Sequence, residues 1–158
     1  MPICNLSDLP ALLKQGQCLL GLDPGSTAIG VAISDPGLRV ASPLTTIMRA
    51  KFAEDAAALI KIIRERNVGG LIVGLPKNMD GSEGPAAQSA RAFVRNLLER
   101  GNLPDPTLPV AFWDERLSSA AVERMLLDDD MSRKRRDAVI DKAAAAYILQ
   151  GALDSLSR

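Results

Sequence analysis

The chain has 158 residues, of which 47% are hydrophobic and 24% charged, a composition typical of one ordinary globular domain. Nineteen basic residues balance nineteen acidic ones, so the net charge alone indicates no nucleic-acid partner. Aromatic residues are only 3% of the chain, which argues against a surface on which bases stack. Histidine is absent and the two cysteines are not closely paired, which excludes the usual zinc sites and histidine-based catalysis.

Residues 1–17 are interpreted as an N-terminal extension with a brief helix near Leu9, and residues 18–158 as a single domain. Apolar runs bounded by Pro and Gly predict strands, and apolar residues at helical spacing predict helices. Pro43 places the third strand at a sheet margin, and in the last helix Tyr147 is predicted to face inward. The predicted strands cover 18–23, 28–34, 38–48, 68–75 and 110–113, and the predicted helices cover 50–66, 85–99, a segment after the N-cap Ser118, and 137–156.

This order of elements predicts the fold class. Three strands that look antiparallel are followed by helix, strand, helix, strand and two helices, which makes a mixed β-sheet flanked by helices. An α/β architecture of the RNase H-like kind fits this order. No apolar stretch is long enough to cross a bilayer and the N-terminus lacks the pattern of a secretory signal, so we expect a cytoplasmic protein without a membrane partner.

Acidic residues end two of the predicted strands. Asp23 ends the first, and Asp114 and Glu115 follow the last, at the carboxyl ends where open α/β sheets gather their ligands. Asp141 lies one turn into the predicted final helix, where small alanines allow close packing against the sheet. Clustered carboxylates suit Mg²⁺ or Mn²⁺, and two such ions can hydrolyse a phosphodiester without histidine.

Each acid also has a purely structural interpretation. Asp23 before Pro24 is typical of a turn, Glu115 can cap the following helix, and Asp141 can pair with neighbouring basic residues on a solvated helix face. Considered one at a time, each acid is better explained by a structural role than by a catalytic one.

Four sequence blocks together change this balance. They are LGLDPGSTAIGVAIS around Asp23, IVGLPKNMDGS from Ile72, WDERLS from Trp113, and IDKAAA from Ile140. In this order they resemble the YqgF/RuvX family over about residues 18–153. The resemblance implies an RNase H-like Holliday junction resolvase, or a nuclease of the kind proposed to mature the 5′ end of pre-16S ribosomal RNA. It maps the catalytic, metal-binding triad of the family onto Asp23, Glu115 and Asp141.

One residue departs from the family pattern and one acid is not accounted for by it. Most members have an aromatic or aliphatic residue at the position of Pro24, whereas the related resolvases have proline there, as this chain does. Pro24 therefore weakly favours junction cleavage. Asp137, one turn before Asp141, is a candidate fourth acid that the family does not require.

Several polar residues are candidates for binding the nucleic acid, and each has an alternative role. Ser26 and Thr27 can donate to a phosphate or simply form the hairpin turn, and Lys77 and Asn78 can contact the substrate or simply form a loop. Arg116 can bind phosphate or neutralise the acids. The dense basic patch, which we interpret as a nucleic-acid contact just before the last helix, can instead pair with the acidic run 128–130; its members are Arg133, Lys134, Arg135 and Arg136.

The predicted partner is therefore nucleic acid, either branched DNA or precursor rRNA. Junction resolution needs two symmetric cuts, so a resolvase is expected to be a homodimer, whereas an RNA-processing enzyme can act as a monomer. Two other functions compete. The Asp-x-Gly-Ser-Thr motif at Asp23 also resembles the phosphate loop of actin and sugar-kinase phosphotransferases, although those need two such domains, and a non-catalytic RNA- or protein-binding module would use the acids only for capping and pairing.

Overall fold

A computed structural model describes residues 3–78, 80–114 and 133–157, with the side chains of 133–139 excepted. After a short 3-10 turn at Leu6–Asp8, the chain forms five strands and four helices within these ranges. The strands are β1 (Cys18–Pro24), β2 (Ala28–Ser34), β3 (Ala41–Met48), β4 (Val68–Leu75) and β5 (Val110–Asp114), and the helices are α1 (Leu9–Leu12), α2 (Phe52–Glu65), α3 (Pro85–Arg100) and α4 (Arg133–Leu156). None of these described helices is long and apolar enough to cross a membrane.

The five strands form one mixed sheet in the order β3-β2-β1-β4-β5. Strand β2 is antiparallel to both β1 and β3, and β1, β4 and β5 run parallel. Four strands therefore end at the same edge of the sheet, which we call the carboxyl edge: β1, β3, β4 and β5. The predicted mixed sheet flanked by helices is confirmed, and so is the marginal place of β3, where Pro43 lies beside a register shift.

Helices cover both faces of the sheet. On one face Leu20, Leu22 and Val73 belong to a large apolar cluster that includes residues of α2 and α3. On the other face Leu19 and Ile72 pack with the buried side of α4. Strand residues alternate between the two clusters because successive side chains of a strand point to opposite faces. Asp23 shares the parity of Leu19 and therefore belongs to the α4 face.

Helix α4 approaches the sheet unusually closely because glycines stand beneath it. A Cβ added to Gly21 of β1 would lie 2.7 Å from the Cβ of Leu149, and one added to Gly30 of β2 would overlap the backbone carbonyl of Asp141. Small residues on the helix, Ala144 and Ala145, are buried, and the carbonyl of Ala145 would lie 3.0 Å from a Cβ at Gly21. The close packing that the alanines predicted is thus matched by glycines on the sheet.

The N-terminal segment packs on the same side of the molecule as α4. Leu9 of α1 is fully buried in the cluster that contains the buried side chains of α4. Ile3 forms an isolated parallel bridge with Val110, and the Cys4 N–H donates to the Val110 carbonyl at 2.9 Å. Residues 3–12 therefore contribute to the core and to one edge of the sheet.

The final helix differs from the prediction in two respects. It begins at Arg133, four residues before the predicted start, so Asp141 lies about two turns into the helix. The basic patch therefore forms the first turn of α4 and does not precede the helix. Tyr147, predicted to face inward, is 47% exposed. The helix predicted after Ser118 lies outside the described residues.

Replacing Gly30 by alanine should disrupt the contact between α4 and the sheet. The new methyl group would collide with backbone, which cannot rotate away as a side chain can, so we expect a loss of stability of about 2–4 kcal/mol. Urea denaturation measures it. Gly37→Ala is the control, because its nearest neighbour is the side chain of Asp35 in an exposed turn. Equal stability of Gly30→Ala and wild type would show that the helix has room to move.

Candidate active site

Asp23 lies near the end of β1, at the carboxyl edge. Its strand is buried up to Leu22 and becomes half-buried at Asp23 itself. In the register of β1 and β2, Asp23 stands directly opposite Gly30. Side chains of directly paired residues project to the same face of a sheet. The carboxyl of Asp23 therefore has a glycine, and hence open space, beside it on the α4 face.

Asp141 occupies the space above that glycine. Its backbone carbonyl lies where a Cβ of Gly30 would be, so the third turn of α4 passes over the strand that pairs with Asp23. The side chain of Asp141 is half-buried. The missing Cβ of one glycine is thus what brings an acidic residue of the helix next to an acidic residue of the sheet.

The two carboxyl groups interact electrostatically. Burial, and then the negative charge of Asp141, raise the pKa of Asp23 from its usual value to about 6. Both causes penalise the ionised form, the first by removing water and the second by repulsion between like charges. The pair therefore forms a site at which the protein itself disfavours the ionised form of Asp23.

The loop after β4 reaches the same edge and is held by its own hydrogen bonds. The Asn78 N–H donates to the Ser82 carbonyl at 2.8 Å, and the Ser82 N–H donates to Oδ1 of Asp80 at 2.9 Å. Glu83 then accepts two hydrogen bonds from Arg91 of α3, at 2.6 and 2.8 Å. The guanidinium of Arg91 also lies 4.8 Å from the centre of the Phe112 ring, which links this loop to β5.

The structure describes some of the predicted residues and not others. Ser26 and Thr27 are exposed in the turn between β1 and β2, Asn78 is exposed and Lys77 is half-buried. All four lie at the carboxyl edge, as predicted, and their contact with a ligand stays a prediction. The structure does not describe Glu115, Arg116 or the side chains of Arg133, Lys134, Arg135, Arg136 and Asp137.

The donor chemistry of the described site fits a hard divalent cation. Carboxylate oxygens are the ligands that Mg²⁺ and Mn²⁺ prefer, and a cation between Asp23 and Asp141 would relieve the repulsion that raises the pKa of Asp23. Within residues 3–78, 80–114 and 140–157, no group of three or more potential metal ligands is assembled. Glu115 follows the last described residue of β5 directly in the sequence.

Sequence reasoning missed one polar residue at this edge. Arg49 follows β3, and its N–H donates to the carbonyl of Thr27 at 2.9 Å, which places it beside the turn that follows Asp23. It is an isolated arginine within no recognisable motif, so only the register of β3 on β2 brings it here. No signal in the sequence singled it out.

Comparison with solved structures identifies the fold. The chain is similar to Thermus thermophilus RuvC in complex with a Holliday junction substrate, with a TM-score of 0.52 and 14% identity over 88% of this chain and 94% of that one. It is also similar to the yeast mitochondrial Holliday junction resolvase Ydc2, with a TM-score of 0.52 and 10% identity over 96% and 84% of the two chains. The fold is that of the RNase H-like resolvases.

Sequence comparison then gives the family. Residues 17–155 match the family described as "RuvX: Holliday junction resolvase". Proteins named "Putative pre-16S rRNA nuclease" are similar along nearly the whole chain: that of Rhodospirillum centenum is 58% identical over 99% of this chain and 83% of its own, and that of Paracoccus denitrificans is 59% identical over 98% and 95%. The chain belongs to the RuvX family, which confirms the resemblance found in the sequence.

The raised pKa of Asp23 predicts an unusual dependence of stability on pH. The folded state holds the Asp23 proton more tightly than the unfolded state, so this group stabilises the fold at low pH and loses that contribution as pH rises through about 6. In EDTA, Asp23→Asn should therefore be more stable than wild type at neutral pH, by on the order of 1–3 kcal/mol, with the difference shrinking towards pH 4.

Urea denaturation at several pH values measures this difference. Asp35→Asn is the matched control, because hydrogen bonds from the N–H groups of Val40 and Arg39 lower the pKa of Asp35. Its removal should act in the opposite direction, with stability lost at neutral pH. Parallel pH profiles for wild type and Asp23→Asn would contradict the electrostatic account of the site.

Proposed function

We propose that this protein is a divalent-metal-dependent endonuclease that hydrolyses phosphodiester bonds in structured nucleic acid. The site consists of Asp23, Glu115 and Asp141, within a single nuclease domain of residues 18–158 preceded by an extension. The observation that carries the proposal is the electrostatic coupling of Asp23 and Asp141 at the carboxyl edge, together with the raised pKa that follows from it.

Two neighbouring carboxyl groups that repel each other lower the stability of the fold. Such a pair is expected where the carboxylates have a function. Structural acids normally accept hydrogen bonds or pair with cations, which lowers their pKa, as it does for Asp35 in its exposed turn. Asp23 shows the opposite shift. Perturbed pKa values of this kind cluster at functional sites. The contrast between two aspartates of the same chain therefore favours chemistry over structure at Asp23.

In the proposed mechanism Asp23, Asp141 and Glu115 would hold the metal, and Mg²⁺ and Mn²⁺ are the two candidates. When bound, divalent ions lower the pKa of a water molecule and stabilise the charge on the leaving oxygen. The role of the protein is to fix the carboxylates. Asp23 is fixed by the end of a buried strand and Asp141 by a helix pressed against the sheet. Carboxylates that are already close need little rearrangement when metal and substrate bind.

Two substrates follow from the names of relatives. The family name and the RuvC complex point to a four-way DNA junction, and the names of the similar proteins point to the 5′ end of pre-16S rRNA. Both present phosphodiesters to the same acids, and the homodimer expected of a resolvase is part of the first alternative only. Family membership favours a nuclease over the phosphotransferase, and a location in the cytoplasm suits either substrate.

The first turn of α4 supports a nucleic-acid partner. Helix N-termini carry partial positive charge, so basic side chains there gain nothing from the helix itself. The first turn of α4 nevertheless consists of Arg133, Lys134, Arg135 and Arg136, with no acidic residue among them. A bound phosphate backbone would compensate this accumulation of positive charge about two turns from Asp141. Alternatively, these residues pair with the acidic run 128–130.

We expect Asp23→Asn, Glu115→Gln and Asp141→Asn each to abolish cleavage while the protein remains folded. Each change removes one metal-binding carboxylate with little change of volume, so activity should fall by at least about a thousandfold, and a double substitution should be no worse than a single one. Cleavage of a labelled four-way junction and of a pre-16S rRNA fragment, both with Mn²⁺, provides the measurement.

Asp35→Asn is the control acid, since Asp35 follows β2 at the opposite edge of the sheet. Thermal melts with added Mg²⁺ or Mn²⁺ test metal binding separately: wild type should gain stability and the three variants should not. Activity retained by any one variant would remove that residue from the site. A folded protein with neither a metal effect nor cleavage would instead be a non-catalytic binding module.

Neutralising the four basic residues of the first turn of α4 together should weaken binding of every nucleic acid tested. Phosphate contacts carry little sequence information, so preference for substrate shape should survive. Each lost duplex contact should reduce the slope of log affinity against log salt by roughly 0.9. Binding in EDTA at several salt concentrations measures the slope, and an unchanged slope would assign the patch to pairing within the protein.

A further inference from the structure

Arg49 lies at the carboxyl edge on the face opposite to the acids. Its N–H donates to the carbonyl of Thr27, in the turn that joins the strand of Asp23 to β2. Its guanidinium carbon lies 5.0 Å from the centre of the ring of Phe93. Phe93 belongs to the cluster that packs α2 and α3 on the sheet. Arg49 therefore shares an edge with Asp23 but is on the other side of the sheet.

The backbone around Arg49 is firmly fixed. The next N–H, that of Ala50, donates to Oδ1 of Asp55 at 3.0 Å. Asp55 is only 2% exposed, and the Glu54 N–H closes the first turn of α2 on the Lys51 carbonyl at 3.0 Å. These bonds hold the corner between β3 and α2 from both sides. The backbone from which the Arg49 side chain starts is thus tied by hydrogen bonds to the turn before β2 and to α2.

The side chain of Arg49 is poorly satisfied by the protein. Its Nε is buried and makes no hydrogen bond, and the structure shows no ion pair between Arg49 and any described carboxylate. A buried donor left unpaired is destabilising, and stacking on an aromatic ring offsets this cost only in part. A methionine would pack on Phe93 without this cost. Stability of the fold therefore does not account for an arginine at this position.

We propose that Arg49 is a substrate-binding residue that holds a phosphate group of the nucleic-acid backbone at the carboxyl edge. The inference rests on the proposed function and adds a contact that neither the acids nor the basic turn of α4 supplies. Arginine binds phosphate through its planar fork of N–H donors, and stacking on Phe93 limits the orientations of that fork before binding. A phosphate also supplies the negative charge that the described residues do not.

Arg100 provides a matched control. Its guanidinium carbon lies 5.6 Å from the centre of the Phe52 ring, and Phe52 packs edge to face on Phe93 at 6.3 Å. Both arginines therefore stack on one aromatic pair. They differ in position, because Arg100 ends α3 and is exposed, whereas Arg49 is tied to the turn beside Asp23. Arg100→Met removes the same charge and the same type of stacking away from the edge.

The test compares Arg49→Met, Arg49→Lys and Arg100→Met in the full chain. Affinity is measured in EDTA with a fluorescent four-way DNA junction and with an RNA hairpin, at several salt concentrations. For Arg49→Met we expect about tenfold weaker binding of at least one probe and, on the duplex arms of the junction, a salt slope lower by roughly 0.9. Arg49→Lys should recover part of the affinity, and Arg100→Met should bind as wild type does.

Stability and kinetics separate binding from structure. Arg49→Met should melt at or above the temperature of wild type, and with Mn²⁺ its KM should rise while kcat stays within about threefold. A lower melting temperature with unchanged affinity and slope would overturn the proposal and make Arg49 a structural residue. Equal losses in Arg49→Met and Arg100→Met would also overturn it.

The failure of this proposal can be distinguished from the failure of the proposed function. If Asp23→Asn cleaves as wild type does while Arg49→Met binds weakly, the proposed active site is wrong and the Arg49 contact stands. If wild type binds neither probe, both proposals fail.

Discussion

The close approach of α4 to the sheet is the constraint on which the site depends. Gly30 has no side chain, and the carbonyl of Asp141 occupies the position where one would be. Because Gly30 is paired with Asp23, the helix comes near the sheet where its acid meets the acid of the strand. A second glycine, Gly21, keeps the helix close along β1. The same contact between helix and sheet therefore determines both the packing of α4 and the closeness of the two acids.

This arrangement has an energetic consequence. The Asp23 carboxyl, in its partly buried place beside Asp141, opposes folding once it ionises, and its pKa of about 6 reflects that opposition. The sheet tolerates it because apolar clusters cover both of its faces. Asp23 stands near the end of a buried strand and Asp141 within the helix packed on the sheet. A site of this kind is destabilising by itself and is held in place by the surrounding core.

Sequence patterns predicted the fold well where apolar residues recur at the spacing of a strand or a helix. β2 and β4 have the bounds that their apolar runs indicated, and Pro43 marked the edge strand. The start of α4 was missed because its first two turns are mostly charged and carry no apolar stripe, although arginine and lysine are good helix formers. Tyr147 was wrongly placed inward because a spacing rule cannot tell the edge of a buried stripe from its centre.

The candidate site was less accessible to sequence reasoning. Spacing alone left each acid open to a structural interpretation, and it was the family resemblance that joined Asp23 to Asp141. Their coupling depends on Gly30 standing below the helix, a relation between residues 111 positions apart in the chain. Arg49 is similar in this respect: its burial and its place beside Thr27 arise from strand register, which no local motif records.

The placement of charges on the two faces bears on the shape of the substrate. The acids lie on the α4 side of the sheet, whereas Arg49 stacks on Phe93 on the α2 and α3 side. Layers packed on a sheet lie about 10 Å from it, so we expect the acids and the arginine to contact different phosphates. A ligand that uses both must pass across the carboxyl edge and present at least two phosphates. The separation of the charges therefore allows binding and cleavage to be altered independently.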